Sequence, residues 1–204
     1  KMMKKTPYMK HIDIRNVIEL EDYYYTDTHW RQESILDVAS IIADKFEVDI
    51  DAKYKKVECR KPFYGVYVGQ AALNVSPDKL MYLTNETLNN CVVTCFDTGN
   101  PVKKEVYDMD KLKSKDMYEV FLSGAVAIIT IENSKASSDK ELIMFRDSFS
   151  SSLAPLLVEG YRKITMIDIR YVRSDMLGAF VEFVNQDVLF IYSTLLLNSS
   201  LGMR

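Results

Sequence analysis

The stretch that decides the fold is ELIMFRDSFSSSLAPLLVEGYRKITMIDIRY, residues 141–171. Leu142-Ile143-Met144-Phe145 is apolar without alternation, the pattern of a strand buried on both faces. The run stops at Arg146-Asp147-Ser148, after which Phe149, Leu153, Leu156 and Leu157 fall on one face of a helix. Pro155 suits the first turn if that helix starts near Ser152, and kinks it if the start is Ser148. A second strand follows at Ile164-Thr165-Met166-Ile167. Met176, Phe180 and Phe183 then mark another helix, and Val188-Leu189-Phe190-Ile191-Tyr192 a third strand. This alternation predicts an α/β domain with an open, mostly parallel sheet, flanked by helices and joined by right-handed crossovers.

Upstream the pattern changes. From about Tyr54 to Tyr107 the sequence is β-rich: Phe63-Tyr64-Gly65-Val66-Tyr67-Val68-Gly69, Leu80-Met81-Tyr82-Leu83 and Cys91-Val92-Val93-Thr94-Cys95-Phe96 are strand-like. Ser76-Pro77-Asp78 and Thr98-Gly99-Asn100-Pro101 are turn signals between them. We read residues 54–107 as an insertion on a single domain spanning 1–204. Near the start, Tyr23-Tyr24-Tyr25 is a short strand signal. Ile35, Val38, Ala39, Ile42 and Phe46 recur at helical spacing behind it, with Asp27 or Thr28 available as a cap.

Composition narrows the function classes. With 48% hydrophobic and 27% charged residues and a net charge of −3, the chain has the makeup of an ordinary globular domain. Scattered charges of both signs give no footprint for nucleic acid or an anionic membrane. No apolar run would span a bilayer, and no signal-peptide pattern opens the chain at Lys1. Cys59, Cys91 and Cys95 are an odd set without paired spacing, and read as small hydrophobes. No metal-ligand spacing and no phosphate-binding glycine loop is present, so no cofactor is expected.

The chemistry rests on few residues. Of two histidines, His11 lies in a weakly patterned start and is expected to be exposed. His29 has Asp27 two positions before it, and in extended backbone such side chains share one side. Asp27 can hold the imidazole tautomer while the far ring nitrogen faces outward. Ser148 sits between a strand and a helix, where a hydroxyl is presented at the sheet's carboxyl edge. Its own N–H, near a helix start, is a natural oxyanion donor. Taken singly, each motif is also what a helix cap looks like; together they make an acyl-transfer constellation. Trp30, beside His29, either stacks on a sugar or is buried. Arg170 and Tyr171, just past a strand, either bind a ligand or form a surface ion pair.

At this point four segments resemble the DHHW family, named for its Asp-His-His-Trp motif. They are Tyr25-Thr26-Asp27-Thr28-His29-Trp30, Phe63-Tyr64-Gly65 through Gly69-Gln70-Ala71, Phe145-Arg146-Asp147-Ser148-Phe149 with Leu153-Ala154-Pro155-Leu156, and Ile167-Asp168-Ile169-Arg170-Tyr171. They occur in the family's order across nearly the whole chain. The resemblance implies an SGNH-hydrolase-like, flavodoxin-like fold related to proteins of alginate and polysaccharide O-acetylation. It implies Ser148 as nucleophile, His29 as base and then acid, Asp27 as orienter, and a structural Asp147 at the nucleophile turn. It further implies an extracytoplasmic setting, an acyl-ester or polysaccharide substrate, and a membrane-bound O-acyltransferase partner. An upstream strand that relatives carry is missing, which implies a chain truncated at its N-terminus.

Two positions depart from the pattern. Arg146 replaces a small residue or lysine, and Gly124-Ala125 stands where Gly-Asn is expected. The function expected is therefore acetyl transfer or acetyl-ester hydrolysis on a surface polysaccharide, with no role for nucleic acid. The alternative, motivated by Ala125 and the many tyrosines, is a non-catalytic carbohydrate-binding or scaffold module on the same fold.

Overall fold

Most of the apolar runs become strands in the computed structural model, which describes residues 8–50, 53–72, 74–96 and 100–199. In chain order the elements are α1 (Leu36–Phe46), β1 (Lys55–Phe63), α2 (Val66–Ala71), β2 (Asp78–Thr84), α3 (Glu86–Asn90), β3 (Val92–Phe96), β4 (Val102–Lys104), β5 (Ile128–Glu132), β6 (Glu141–Arg146), α4 (Ser150–Leu157), β7 (Lys163–Ile167), β8 (Asp187–Ile191) and α5 (Thr194–Asn198). Short 3₁₀ turns lie between several of them.

A six-stranded sheet runs β4-β3-β5-β7-β6-β8. β6 pairs in parallel with β7 and with β8. From β7 through β5 and β3 to β4 every pairing is antiparallel. The sheet is thus mixed, which corrects the expectation of a mostly parallel, flavodoxin-like sheet. Parallel neighbours need a long crossover, and α4 supplies one between β6 and β7. β3 and β4 are joined only by residues 97–101, a hairpin-length link that fits antiparallel pairing. Thr98 and Gly99 of the expected turn lie outside the described residues. Within the β-rich stretch, β1 and β2 form a separate antiparallel ribbon, while β3 and β4 extend the main sheet.

The core lies mainly on one face of this sheet. Leu142 and Met144 of β6, Ile164 and Met166 of β7, and Ile129 and Ile131 of β5 meet Val38, Ala39 and Ile42 of α1 and Leu153, Leu156 and Leu157 of α4. Alternation sends Ile143 and Phe145 to the opposite face, into a small cluster with Ile167 and Val181. The expected helix over Met176, Phe180 and Phe183 does not form. A 3₁₀ turn, Ser174–Ala179, takes its place, and all three side chains stay about half exposed. Gly178 weakens an α-helix there, and the small cluster beneath offers too little apolar surface to enforce one.

Three local expectations also change. Tyr23-Tyr24-Tyr25 is not a strand; Tyr23 makes a single bridge to Trp30. The Phe63–Gly69 run breaks after Phe63, because Gly65 becomes the N-cap of α2. Neither Asp27 nor Thr28 caps α1. A 3₁₀ turn at Gln32–Ser34 intervenes and Ile35 stands at the cap. Pro155 lies inside α4, which gives way to a 3₁₀ turn after Leu157. No helix among the described residues is long and apolar enough to cross a membrane.

Candidate active site

The loop carrying Asp27 and His29 is held from beneath. Asp78 accepts hydrogen bonds from the Tyr25 and Thr26 N–H groups and from the Thr26 hydroxyl. The Thr26 hydroxyl oxygen in turn accepts from the Gly65 N–H, and the Thr26 carbonyl from the Tyr67 N–H. At Gly65 even a methyl group would stand 2.2 Å from Asp27 Cβ, so only glycine lets the start of α2 lie against this loop.

These constraints place a hydrogen-bonded line of three side chains. Asp27 Oδ1 lies 2.5 Å from His29 Nδ1 and also accepts from the His29 N–H at 3.0 Å. Asp27 Oδ2 accepts from the Val66 N–H at 2.9 Å. His29 Nε2 lies 2.8 Å from Ser148 Oγ. With Nδ1–H donating to the carboxylate, Nε2 is left to accept the serine proton. Burial alone would raise the Asp27 pKa, but hydrogen bonds from His29 and Val66 outweigh it and hold the carboxyl below its usual range. Asp27 therefore stays ionised beside the imidazole.

Ser148 is half buried in the turn between β6 and α4. Asp147 shapes that turn: its carboxylate accepts from the Phe149 N–H at 3.1 Å and from the Ser193 N–H at 2.7 Å, tying the turn to the start of α5. Among the described residues nothing accepts from the Ser148 N–H.

The aromatic surroundings of His29 were not legible in the sequence. Tyr118 stacks on the imidazole, with ring centroids 3.8 Å apart and planes 8° from parallel. Its hydroxyl donates to Ser152 Oγ at 2.8 Å. Phe149 closes another side at 4.9 Å. Tyr118 sits in a 3₁₀ turn, Met117–Val120, with no periodic pattern to mark it. Nearby Asp116 has its carboxyl raised, first by burial and then by the charge of Asp27.

The remaining candidates have other partners. Trp30 is buried, and its indole N–H is shared between the Phe149 carbonyl and Ser152 Oγ, both at 2.9 Å. Of its two readings, burial is the one the structure displays; no open face is left for a sugar. Arg170 forks onto the buried carboxylate of Asp168, with contacts of 2.9 and 2.6 Å, and lies 5.4 Å from the Tyr171 ring centroid. Tyr171 is 53% exposed, and among the described residues neither side chain makes a hydrogen bond or ion pair to Asp27, His29 or Ser148. His11 is exposed. Burial pushes the Cys59 and Cys91 thiols up to about 11, so both are protonated and poorly nucleophilic at neutral pH. Among the described residues no group of three or more His, Cys, Asp or Glu side chains gathers as metal ligands would.

No protein-family model matches the chain, and no curated protein matches it by sequence. Solved structures do. A DHHW family protein from Eubacterium siraeum superposes with a TM-score of 0.66 at 21% identity, over 86% of this chain and 60% of that one. Bacillus cereus PatB1 carrying a sulfonyl adduct gives 0.65 at 19% identity, over 96% and 67%. A second PatB1 structure gives 0.66 at 20%, over 86% and 63%. The chain thus spans about 60–67% of the length of these structures. At such identities the likeness establishes the fold: this chain has the mixed α/β fold that a DHHW family protein and PatB1 share.

Proposed function

We propose that the protein is a serine-dependent acyl-group enzyme, which moves an acetyl or similar acyl group to or from a polysaccharide outside the cytoplasm. The observation that carries this reading is the 2.8 Å approach of Ser148 Oγ to His29 Nε2, with Asp27 seated on the other ring nitrogen. That PatB1 structure has been captured with a sulfonyl adduct is consistent with it.

In this reading Ser148 Oγ attacks the acyl carbonyl carbon and its proton passes to Nε2. The imidazolium is stabilised by the ionised Asp27. The Ser148 N–H, which has no acceptor among the described residues, is the donor this reading assigns to the developing oxyanion. Collapse of the tetrahedral species breaks the bond to the leaving oxygen, which takes the proton from Nε2 and leaves an acyl-serine. A sugar hydroxyl, or water, then gives its proton to Nε2, attacks the acyl carbon and regenerates Ser148. Transferase and esterase share the first half and differ in how well the site excludes water. A membrane-bound O-acyltransferase that exports the acyl group is the partner this reading assigns.

The test is release of p-nitrophenol from p-nitrophenyl acetate by the wild type and by Ser148→Ala. Turnover present in the wild type and abolished in the variant supports the reading. If a folded wild type neither turns over this ester nor deacetylates an O-acetylated polysaccharide, a binding module on the same fold is the better account.

A further inference from the structure

Arg146, which precedes Asp147-Ser148, is fully buried. Desolvating a guanidinium costs several kcal/mol, in round numbers, unless its donors are met. Its Nε has no partner among the described residues, and none of the hydrogen bonds that Nη1 and Nη2 make goes to a carboxylate. Nη2 donates to the carbonyls of Val126 at 3.0 Å and Gly124 at 3.4 Å. Nη1 donates to Ser151 Oγ at 3.3 Å and to the Asp147 carbonyl at 3.5 Å. Asp168 and Asp147 offset its charge from nearby. One end of the fork therefore holds the turn at 124–126 and the other holds the nucleophile turn.

The first of these turns is strained. Leu122, Ser123 and Gly124 lie consecutively in the left-handed region, with φ of 53°, 61° and 83°. For residues with a Cβ this costs about 1–2 kcal/mol each. Such strain persists only where the surroundings impose it. Leu122 is sealed in the core and its N–H donates to the Val106 carbonyl. Ser123 Oγ donates to Asp108 at 2.8 Å, and Asp108 is braced by Lys104. At Gly124 a Cβ would meet Glu119 Cγ at 2.6 Å. The turn is thus gripped by Asp108 on one side and by Arg146 on the other.

The two positions that depart from the resembled pattern meet here. Arg146 binds the carbonyls on either side of Ala125. All described peptides are trans, so a Gly124 carbonyl turned toward the guanidinium sends the Ala125 N–H away from it. Ala125 is exposed, and among the described residues nothing accepts from that N–H.

We propose that Arg146 is a positioning residue: it locks the strained 122–126 turn to the nucleophile turn and so fixes the backbone that an acyl group meets at Ser148. This inference rests on the acyl-transfer reading of Ser148.

Two variants act on the same turn from opposite sides. Arg146→Lys keeps the buried charge but loses the planar fork that spans both turns. Ser123→Ala removes the Asp108 anchor and touches nothing at Ser148. The readouts are the rate of Ser148 sulfonylation by phenylmethanesulfonyl fluoride, kcat and KM on p-nitrophenyl acetate normalised to folded protein, and hydrogen exchange by mass spectrometry. Arg146→Lys is expected to lose about 10- to 100-fold in sulfonylation and kcat with KM within twofold, the signature of a misplaced reacting geometry. Exchange should quicken in the peptides covering 120–127 and 147–152, and not in β5 or β7. Ser123→Ala should give a several-fold loss of the same kind, and it alone decides the matter if Arg146→Lys does not fold. Variants that lower Tm yet keep the wild-type sulfonylation rate and kcat per folded molecule would overturn the positioning role and leave the function standing. A folded wild type that neither sulfonylates nor turns over would remove the acyl-transfer reading, and this proposal with it.

Discussion

Replacing Asp27 by Asn tests the acceptor arrangement around His29 most sharply, because the structure leaves an asparagine no satisfactory pose. Asp27 is an acceptor at both oxygens: Oδ1 takes two donors from His29, and Oδ2 takes the Val66 N–H. An asparagine has one acceptor oxygen and one NH₂ group. With its oxygen toward His29, the NH₂ meets the Val66 N–H, a buried donor–donor clash of about 1–3 kcal/mol. With its oxygen toward Val66, the NH₂ donates to Nδ1 and moves the ring proton to Nε2. That nitrogen can then no longer accept from Ser148. Either pose removes the negative charge that stabilises the imidazolium. In serine-protease triads the same substitution costs about 10⁴ in turnover, which is about 5.5 kcal/mol at 1.36 kcal/mol per decade. We expect a fall of about 10³- to 10⁴-fold in sulfonylation of Ser148, followed by intact mass against time at pH 7.5, with circular dichroism as the control for folding. Asp27→Asn sulfonylated within about threefold of the wild type would refute the orienting role.

Other consequences follow from particular contacts. Gly65→Ala drives a methyl into Asp27 and the Thr26 carbonyl, and should cost about 1–3 kcal/mol together with most of the activity, measured by thermal denaturation and esterase assay. Trp30→Phe strips a donor from the Phe149 carbonyl and Ser152 Oγ, and should lower stability by about 1–3 kcal/mol with little change in KM for an acetylated glycan. A large rise in KM would restore a sugar-stacking role. The Asp116 carboxyl is raised in the fold, chiefly by burial, so its ionised form is penalised in the native state and burdens stability above the unfolded value. Asp116→Asn should accordingly stabilise the protein at neutral pH, and the gain should vanish below about pH 4; equal gains at pH 3 and pH 7 in urea melts would contradict this. For Asp27 the sign is opposite. Its depressed pKa contributes stability that is complete above the unfolded carboxyl range and is lost as pH falls through the lower folded value, so Asp27→Asn should flatten the acid limb of a stability–pH curve.

The hydrogen-bonded line of the candidate site was more legible in the sequence than the sheet. Ser148, His29 and Asp27 could be paired because histidine is scarce, because Asp27 and His29 lie two apart, and because Ser148 closes an apolar run. Strand positions such as Leu142–Phe145 and Ile164–Ile167 were legible for the same reason: continuous burial leaves a continuous apolar string. Strand direction was not. Nothing in Val92–Phe96 or Ile128–Glu132 records whether a neighbour runs parallel, since that depends on the lengths and paths of the links. The 174–183 segment carries helical spacing, yet Gly178 and a thin underlying cluster let a 3₁₀ turn win. Tyr118 and the strained Leu122–Gly124 turn left no trace in periodicity, because both lie in irregular backbone whose geometry is imposed by tertiary contacts. Trp30 was ambiguous for a related reason: an indole beside a candidate base reads alike whether it faces a ligand or the core.

The most direct test of the account is intact-mass analysis of the wild type, Ser148→Ala and His29→Ala after exposure to phenylmethanesulfonyl fluoride. We predict one sulfonyl group on the wild type, mapped to Ser148, and none on either variant over the same interval. A folded wild type that remains unmodified, or a His29→Ala variant sulfonylated at the wild-type rate, would contradict the claim that His29 activates Ser148.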